Sequence, residues 1–412
     1  MENPPRLGAR RRRLGVALTA ALGVCAWASA QDALAAPSAE SVRAPTGALF
    51  DAVAAVLGER LVGDRLAQGR LDELVAALRP AARAAAGPVE ERGVVQALLE
   101  QVPVSHLALL SSATHRRFEH ELRGRRSPML GCHLLRLGGR FFLDSVYDGG
   151  PAARAGLRRG DEVLAIDGVP PGRSPVLDWR SDDASLPDPA LHDLRVGGGR
   201  LVTLRVADPV AGDVRDVEVR AARWSGLAAS VDSVRALEVD GHRVLYVHLW
   251  FVFHGRSASL LRAALDEHPD CEALLLDLRG RGGSALECPR VVREVELAAR
   301  RGVPTVALID ARTRSAKEVI ASELQQRGIA LLVGERTAGA VLPASFVELG
   351  SDAVLMLPEE ELAAHSRALE GRGVTPEVQV SDPLPPAPGV DHILDKGQEI
   401  AAEILQSAAT GR

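Results

Sequence analysis

Ser315 is the residue of this chain best placed for nucleophilic chemistry. It opens the segment SAKEVIASELQQ, whose spacing of apolar residues predicts a helix over 315–327, and it follows an apolar run that predicts a strand over 304–310. The start of a helix presents unpaired backbone N–H groups and the positive end of the helix dipole. An oxyanion that forms beside Ser315 would be stabilised there, for example by the N–H of Ala316. Ser315 is therefore a candidate nucleophile.

A second turn of the same design lies about thirty residues upstream. The segment DLRGRGG (277–283) follows a predicted strand at 272–278 and precedes a predicted helix at 284–300. Because the carboxyl ends of neighbouring parallel strands meet at one edge of a sheet, the two turns are expected to face each other. The backbone of Gly282 or Gly283 would then supply a second oxyanion donor.

These segments resemble the tail-specific, or C-terminal processing, serine peptidases. That family builds its site from a DLRxNxGG turn, a serine in S-A-S-E context and a VGExTxGK segment, and here the corresponding residues read DLRGRGG, SAKE (315–318) and VGERTAGA (333–340). The resemblance extends from about residue 90 to the C-terminus and implies a peptidase. The lysine that the family uses as general base falls at Ala340, and Arg281 stands where the family usually has asparagine.

Lysine is scarce in the whole chain, so few residues can replace the missing base. Lys317 and Lys396 are the two lysines among 49 basic residues, and arginine does not deprotonate in proteins. Lys317 lies two residues after Ser315, roughly 200° around the predicted helix. It is therefore expected to point away from the nucleophile.

The tricorn-core branch of the same superfamily offers another base. Its Ser-His segment resembles EQVPVSHLALLSS (100–112), and its ENxGVxPD segment resembles LEGRGVTPEVQV (369–380). This resemblance implies that His106 takes the Ser315 proton and that Ser105 and Glu370 orient and stabilise the imidazole.

Structural roles remain open for each of these residues. A serine at a helix start is most often an N-cap, a histidine in an apolar segment is most often a packed residue, and Glu370 precedes Gly371 in a predicted turn. His248 and His254, in and after the apolar run 243–253, are alternative bases.

Residues 127–224 resemble a PDZ domain. The stretch RFFLDSVYDGGPAARAGLRRGDEVLAIDGVP (140–170) reads as a strand, a short helix of small residues and a second strand bracketed by glycines. The resemblance implies that the LGCHL segment, with Leu130, Gly131, Cys132 and His133, caps a peptide C-terminus and that the peptide adds as a strand beside residues 132–135. The alternative is that the module only braces the catalytic part.

The chain is predicted to be an α/β multidomain protein in four parts. Residues 1–36 read as an export signal, with a basic start, an apolar run at 14–30 and an A-x-A site, so no stable membrane span is expected after its removal. Residues 37–122 show helical periodicity, 127–224 form the PDZ-like domain, and 225–412 alternate strands and helices as in a mostly parallel sheet. The last part is expected to be a crotonase/ClpP-like catalytic core.

Charge and composition narrow the class of function. The net charge is −5 overall and −9 without residues 1–30, which contain five arginines and one glutamate, and this argues against nucleic acid as a partner. No metal-binding spacing occurs, and the expected chemistry needs no cofactor. We therefore expect a periplasmic or extracellular serine endopeptidase whose partners are polypeptides with free C-termini. The alternatives are an inactive PDZ-containing binding protein and an acyl-CoA enzyme of the crotonase fold.

Overall fold

The computed structural model describes residues 46–61, 67–179, 191–350, 352–359 and 368–410. The predicted export segment, residues 1–36, lies outside these residues. Across the described ranges, no helix has both the length and the apolar character needed to cross a membrane.

The N-terminal part is mainly helical, with one strand that the periodicity did not predict. Its elements are α1 (Ala48–Arg60), α2 (Gln68–Ala84), α3 (Pro88–Leu99), β1 (Ala108–Ser111) and α4 (Ser112–Leu122). Fully buried apolar side chains such as Phe50, Leu57 and Leu98 join the first three helices in one core. Residues 108–111 form a strand because they pair with a segment more than 240 residues further along the chain, a contact that local periodicity does not report.

The PDZ-like part is a seven-stranded antiparallel sheet. Its elements are β2 (Ser127–Met129), β3 (Cys132–Leu137), β4 (Arg140–Val146), α5 (Pro151–Arg154), β5 (Glu162–Ile166), β6 (Leu177–Trp179), β7 (Leu191–Leu194), β8 (Leu201–Ala207), β9 (Val214–Arg220) and β10 (Ala222–Trp224). The strand order is β6-β7-β3-β4-β5-β8-β9, and β2 pairs with β10 as a separate ribbon. Alternate residues of β8, including Val202 and Leu204, are buried in its core, as a half-buried strand requires.

The C-terminal part contains the predicted mostly parallel sheet. Its elements are α6 (Gly226–Ser233), β11 (Arg235–Val239), β12 (His242–His248), α7 (Ser257–Glu267), β13 (Ala273–Asp277), α8 (Cys288–Arg300), β14 (Thr305–Ile309), α9 (Ala316–Gln326), β15 (Leu331–Gly334), β16 (Ala344–Glu348), β17 (Ala353–Pro358), β18 (Val378–Gln379) and α10 (His392–Thr410). The sheet order is β11-β12-β13-β14-β15-β18, and every pair from β12 onwards is parallel. Strands β13 and β14 are buried along their whole length because helices cover both faces.

Two features of this part differ from the sequence prediction. The strand expected over 243–253 ends at His248, since Trp250 donates its backbone N–H to Ser230 Oγ and Val252 instead pairs with Gly283. The antiparallel pair expected within 346–358 is present as β16 and β17, and β1 joins it to give the order β1-β17-β16.

Candidate active site

Ser315 lies at the predicted position, between β14 and the first turn of α9. It is the N-cap residue, and its φ of 56° is unusual for a residue other than glycine. Its N–H is held by the Ala340 carbonyl oxygen at 2.8 Å and by Glu318 Oε2 at 3.2 Å. These two bonds keep Ser315 in a conformation that costs about 1–3 kcal/mol, the kind of strain that is concentrated at functional sites.

Gly282 lies directly against Ser315. A Cβ atom added to Gly282 would lie 2.6 Å from Ser315 Cβ and 3.2 Å from Ser315 Oγ, so only glycine allows this approach. Within the described ranges, no residue accepts a hydrogen bond from the backbone N–H of Gly282, Gly283 or Ala316. Unused donors on both sides of a serine are what an oxyanion site requires.

Charged side chains that pack against the glycine turn (277–283) stabilise it. Arg279 makes paired hydrogen bonds to Asp277 and to Asp391, at distances between 2.6 and 3.0 Å. Burial alone would raise the pKa of Asp277, but the neighbouring Arg279 holds it below its usual value. Gly280 donates its N–H to Asp310 Oδ1 at 2.9 Å, which fixes the turn to the loop that precedes Ser315.

Lys317 takes part in this support, which the sequence did not indicate. Its side chain is fully buried, and Nζ donates to the carbonyl oxygens of Arg279 at 2.6 Å and Trp250 at 3.4 Å. Burial lowers the pKa of Lys317 to about 8. The sequence predicted only that this residue points away from the nucleophile, and it did not predict that its amine binds the turn that carries Gly282.

Ser105, His106 and Glu370 lie together, although Glu370 is 265 residues away in the chain. Ser105 Oγ is 2.9 Å from His106 Nδ1 and 3.0 Å from Glu370 Oε2, while Glu370 Oε1 accepts the N–H of Ser105 at 2.9 Å. A hydroxyl has one proton, and donating it to the carboxylate leaves the oxygen to accept from Nδ1–H. This assignment places the basic lone pair of His106 on Nε2. His106 has a φ of 59°, so it also occupies a strained conformation.

A single peptide unit links this group to Ser315. The Ala340 carbonyl accepts from Ser315 N at 2.8 Å, and the N–H of Val341 donates to Glu370 Oε2 at 2.9 Å. Ser315 N and the Glu370 carboxylate therefore lie within roughly 8 Å of each other. Ala340 thus contributes through its backbone at the position where processing peptidases have their lysine.

Glu318 is a further site residue that the sequence analysis did not single out. It is buried, and its carboxylate accepts from Thr337 Oγ1 at 2.5 Å and from the N–H groups of Gly339 and Ala340 at 2.7 and 2.8 Å. Burial raises its pKa, an effect that these hydrogen bonds oppose. The carboxylate fixes the loop after β15 to the helix that Ser315 opens. Its place three residues after the serine, typical of a capping box, was the available sequence signal.

The two alternative histidines occupy different surroundings. His248 is buried, with its ring 4.0 Å from that of Trp250 and Nε2 3.8 Å from Asp277 Oδ1, and burial lowers its pKa to about 4. A histidine with so low a pKa is a weak base. His254 Nδ1 is 3.5 Å from Ser284 Oγ, on the exposed side of the glycine turn.

The edge expected to receive a peptide is already paired. Strand β7 runs antiparallel to β3, with His133 opposite Asp193 and Leu135 opposite Leu191. Leu194 is buried in the same cluster as Leu130 and Cys132. A peptide therefore cannot add beside residues 133–135 while β7 is in place, and the expectation of an open edge there is corrected. The loop of the expected carboxylate cap is held in place by its carbonyl oxygens, since those of Leu130 and Gly131 accept from Ala152 N at 2.8 Å and Tyr147 N at 2.9 Å.

The PDZ-like sheet also contacts the loop that carries the nucleophile. Asp144, buried on β4, forms an ion pair with Arg312, three residues before Ser315. Arg159 pairs with Asp382 at 2.6 Å. The module is therefore joined to the candidate site by charged contacts.

Two family models match parts of the chain. The model of peptidase family S41 matches residues 290–380, a range that contains Ser315 and Glu370 but not His106. The model of the PDZ domain matches residues 142–180, from β4 to β6 and just beyond.

Curated relatives extend these matches. The chain is 27% identical over 262 residues to a carboxyl-terminal-processing protease of Picosynechococcus sp., covering 57% of this chain and 60% of the relative. It is 26% identical over 373 residues to a putative tricorn protease homolog 2 of Streptomyces coelicolor, covering 82% of this chain and 30% of the relative. The chain thus spans less than two thirds of either relative.

Among solved structures, a photosystem II D1 C-terminal processing protease aligns with 82% of this chain and 93% of its own, at 17% identity and a TM-score of 0.48. This chain is thus similar to peptidase family S41 over residues 290–380, to the PDZ domain over residues 142–180, and to a carboxyl-terminal-processing protease over 262 residues.

Proposed function

We propose that this protein is a serine endopeptidase that hydrolyses peptide bonds of polypeptides, with Ser315 as nucleophile and His106 as base. The observation that supports this most directly is the hydrogen-bonded group of Ser105, His106 and Glu370, joined to Ser315 through the Ala340–Val341 peptide unit. This group belongs to the tricorn-like arrangement rather than to a serine–lysine pair. The sheet around it is proposed to be a crotonase/ClpP-like core.

In the proposed reaction, Ser315 Oγ attacks the carbonyl carbon of the substrate and its proton passes to His106 Nε2. Glu370 acts through the Ser105 hydroxyl, which holds Nδ1–H of His106 and so fixes the tautomer. The oxyanion is stabilised by the N–H groups of Ala316 and of Gly282 or Gly283. His106 then gives the proton to the leaving amine, and an acyl-enzyme remains on Ser315. Water attacks this ester while His106 takes its proton, and His106 returns the proton to Ser315 Oγ as the acid product leaves.

We also propose that the protein is exported to the periplasm or beyond. The support is the basic and apolar pattern of residues 1–36.

The function is tested by labelling with a fluorophosphonate probe and by peptide hydrolysis followed by mass spectrometry. Wild type should be labelled at Ser315, and Ser315→Ala should lose both labelling and hydrolysis while it keeps its fold. His106→Ala should lower turnover by at least about 10²-fold, the low end expected for loss of a positioned general base. The matched control is His254→Ala, which removes a histidine on the exposed side of the glycine turn and should stay close to wild type.

A catalytically inactive PDZ-containing binding protein is the second candidate, because Ala340 stands where the family has its lysine. Absence of labelling in a folded wild-type protein would favour it over the peptidase.

A further inference from the structure

The filled edge of the PDZ-like sheet raises the question of where an extended polypeptide could pair. Strand β7 occupies the side of β3 that was expected to bind a peptide. In the described part of the chain, the outer side of β16 is an edge without a partner strand, and β16 begins three residues after Val341, whose N–H binds the Glu370 carboxylate. This edge therefore starts beside the hydrogen-bonded group of Ser105, His106 and Glu370.

The hydrogen bonds of β16 fix which backbone groups point outward. Glu359 donates its N–H to Pro343 O at 2.7 Å, and Leu349 donates to Ala353 O at 2.9 Å. Hydrogen-bonded pairs alternate along an antiparallel ladder, so residues 343, 345, 347 and 349 bond to β17. The N–H and C=O groups of Ala344, Phe346 and Glu348 face the open edge. Such a row is a template for one more strand.

Aromatic side chains connect this edge to the oxyanion turn. The Phe346 ring lies 5.7 Å from that of Phe118, which lies 6.3 Å from that of Phe251. The next residue, Val252, donates its N–H to Gly282 O at 3.1 Å. Phe118 and Phe346 are half-buried, so part of each ring is available to a ligand. A chain that pairs with β16 would therefore lie next to an apolar aromatic row that leads to the site.

We propose that the outer edge of β16 is a substrate-binding edge, where an extended, apolar segment of a polypeptide pairs with Ala344, Phe346 and Glu348. Backbone pairing gives affinity that is largely independent of sequence, and the exposed parts of the Phe346 and Phe118 rings favour leucine, valine or aromatic side chains in the substrate. This inference rests on the proposed peptidase function, whose substrate class it names.

The test measures binding rather than turnover, so that it does not depend on catalysis. In a Ser315→Ala background, the Kd of a fluorescein-labelled, leucine- and valine-rich decapeptide is measured by fluorescence anisotropy. Phe346→Pro removes one outward-facing N–H and the ring but leaves the hydrogen bonds of residues 345 and 347 to β17, and proline is tolerated at sheet edges. It should raise Kd at least about tenfold through the lost hydrogen bond and ring contact.

The matched control is Glu218→Pro. Residue 218 faces outward on β9, another edge strand, because Asp208 donates to Asp213 O and Ala221 donates to Arg200 O. This variant should leave Kd unchanged. Two measurements remain informative if Phe346→Pro fails to fold. Phe346→Ala removes only the ring, and a decapeptide N-methylated at alternate amides lacks the N–H groups that would pair with β16. Both should bind more weakly than their parents.

The outcomes separate this inference from the proposed function. If the Phe346 variants and the N-methylated peptide all bind as tightly as their parents, the edge is not a binding site, even if wild type hydrolyses the peptide. If they bind more weakly while wild type shows no labelling of Ser315, the edge still binds polypeptides and only the peptidase assignment fails.

Discussion

Replacing Lys317 by methionine should leave the stability of this protein at pH 7 nearly unchanged but lower its kcat. Burial lowers the pKa of the ammonium from 10.5 to about 8, although Asp277 and Asp310 act in the opposite direction. This difference corresponds to about 3 kcal/mol against the charged form in the native state. Methionine has similar volume and no charge. It leaves the Arg279 carbonyl oxygen without its donor, which costs about 1–3 kcal/mol. At pH 7 the variant should therefore be about as stable as wild type, or slightly more stable.

The free energy of unfolding of wild type should depend on pH because of the lowered pKa of Lys317. Between pH 8 and 10.5 the unfolded chain holds more protons at Lys317 than the native chain does, so the free energy of unfolding of wild type gains from this residue as pH rises. The gain is absent below about pH 8 and complete above 10.5. Burial raises the pKa of Cys132 and of Cys288 to about 12, which acts in the opposite direction. Because both cysteines are present in both proteins, the difference between variant and wild type isolates Lys317.

The assay is urea denaturation of both proteins from pH 7 to 10.5, together with kcat at pH 7. The free energy of unfolding of the variant minus that of wild type should fall by about 3 kcal/mol from pH 7 to 10.5. Its kcat should be lower by about 10- to 100-fold, since the turn that carries Gly282 loses a charged hydrogen bond. Parallel stability curves would show that Lys317 does not bury a charge, and an unchanged kcat would show that the turn does not need the lysine.

Three further substitutions probe the surroundings of the site. Gly282→Ala should abolish probe labelling of Ser315, because its Cβ would lie 2.6 Å from that of the serine, and retained labelling would contradict this packing. Glu370→Gln should lower kcat by at least about tenfold through the loss of support for Ser105, with a smaller effect on KM, and equal kcat would leave the carboxylate without a catalytic role. Asp144→Asn should leave Arg312 with a weakened partner and lower Tm by several degrees, roughly the effect of 1–2 kcal/mol in a domain of this size, as scanning calorimetry would show.

The sequence was sufficient for the parts of this protein that depend on local patterns. Buried apolar runs such as 273–277 and 305–309 predicted the parallel sheet, and the serine that opens a helix after such a run lies where expected. The structure brings Ser105, His106 and Glu370 together, and these residues were chosen by resemblance rather than by local pattern.

Other features depend on distant pairing and could not be predicted. Residues 108–111 read as part of a helical segment, and they form a strand only because residues 353–356 pair with them. Strand β7 has four residues, and its pairing with β3, more than fifty residues earlier in the chain, is a distant contact that its own sequence does not indicate. Lys317 was expected to point away from Ser315, and periodicity does not indicate that its amine reaches the carbonyl oxygen of Arg279.

Strand β7 occupies the side of β3 to which a peptide would add, so a peptide that used this side would first have to displace it. A tethered ligand acts at an effective concentration of about 1 mM, whatever the amount of protein in solution. If a free peptide and this strand had equal intrinsic affinities of about 1 μM, the peptide would bind about a thousandfold more weakly than to an empty edge. Under such competition, a peptide would pair with β3 only at a concentration, or with an affinity, high enough to displace β7.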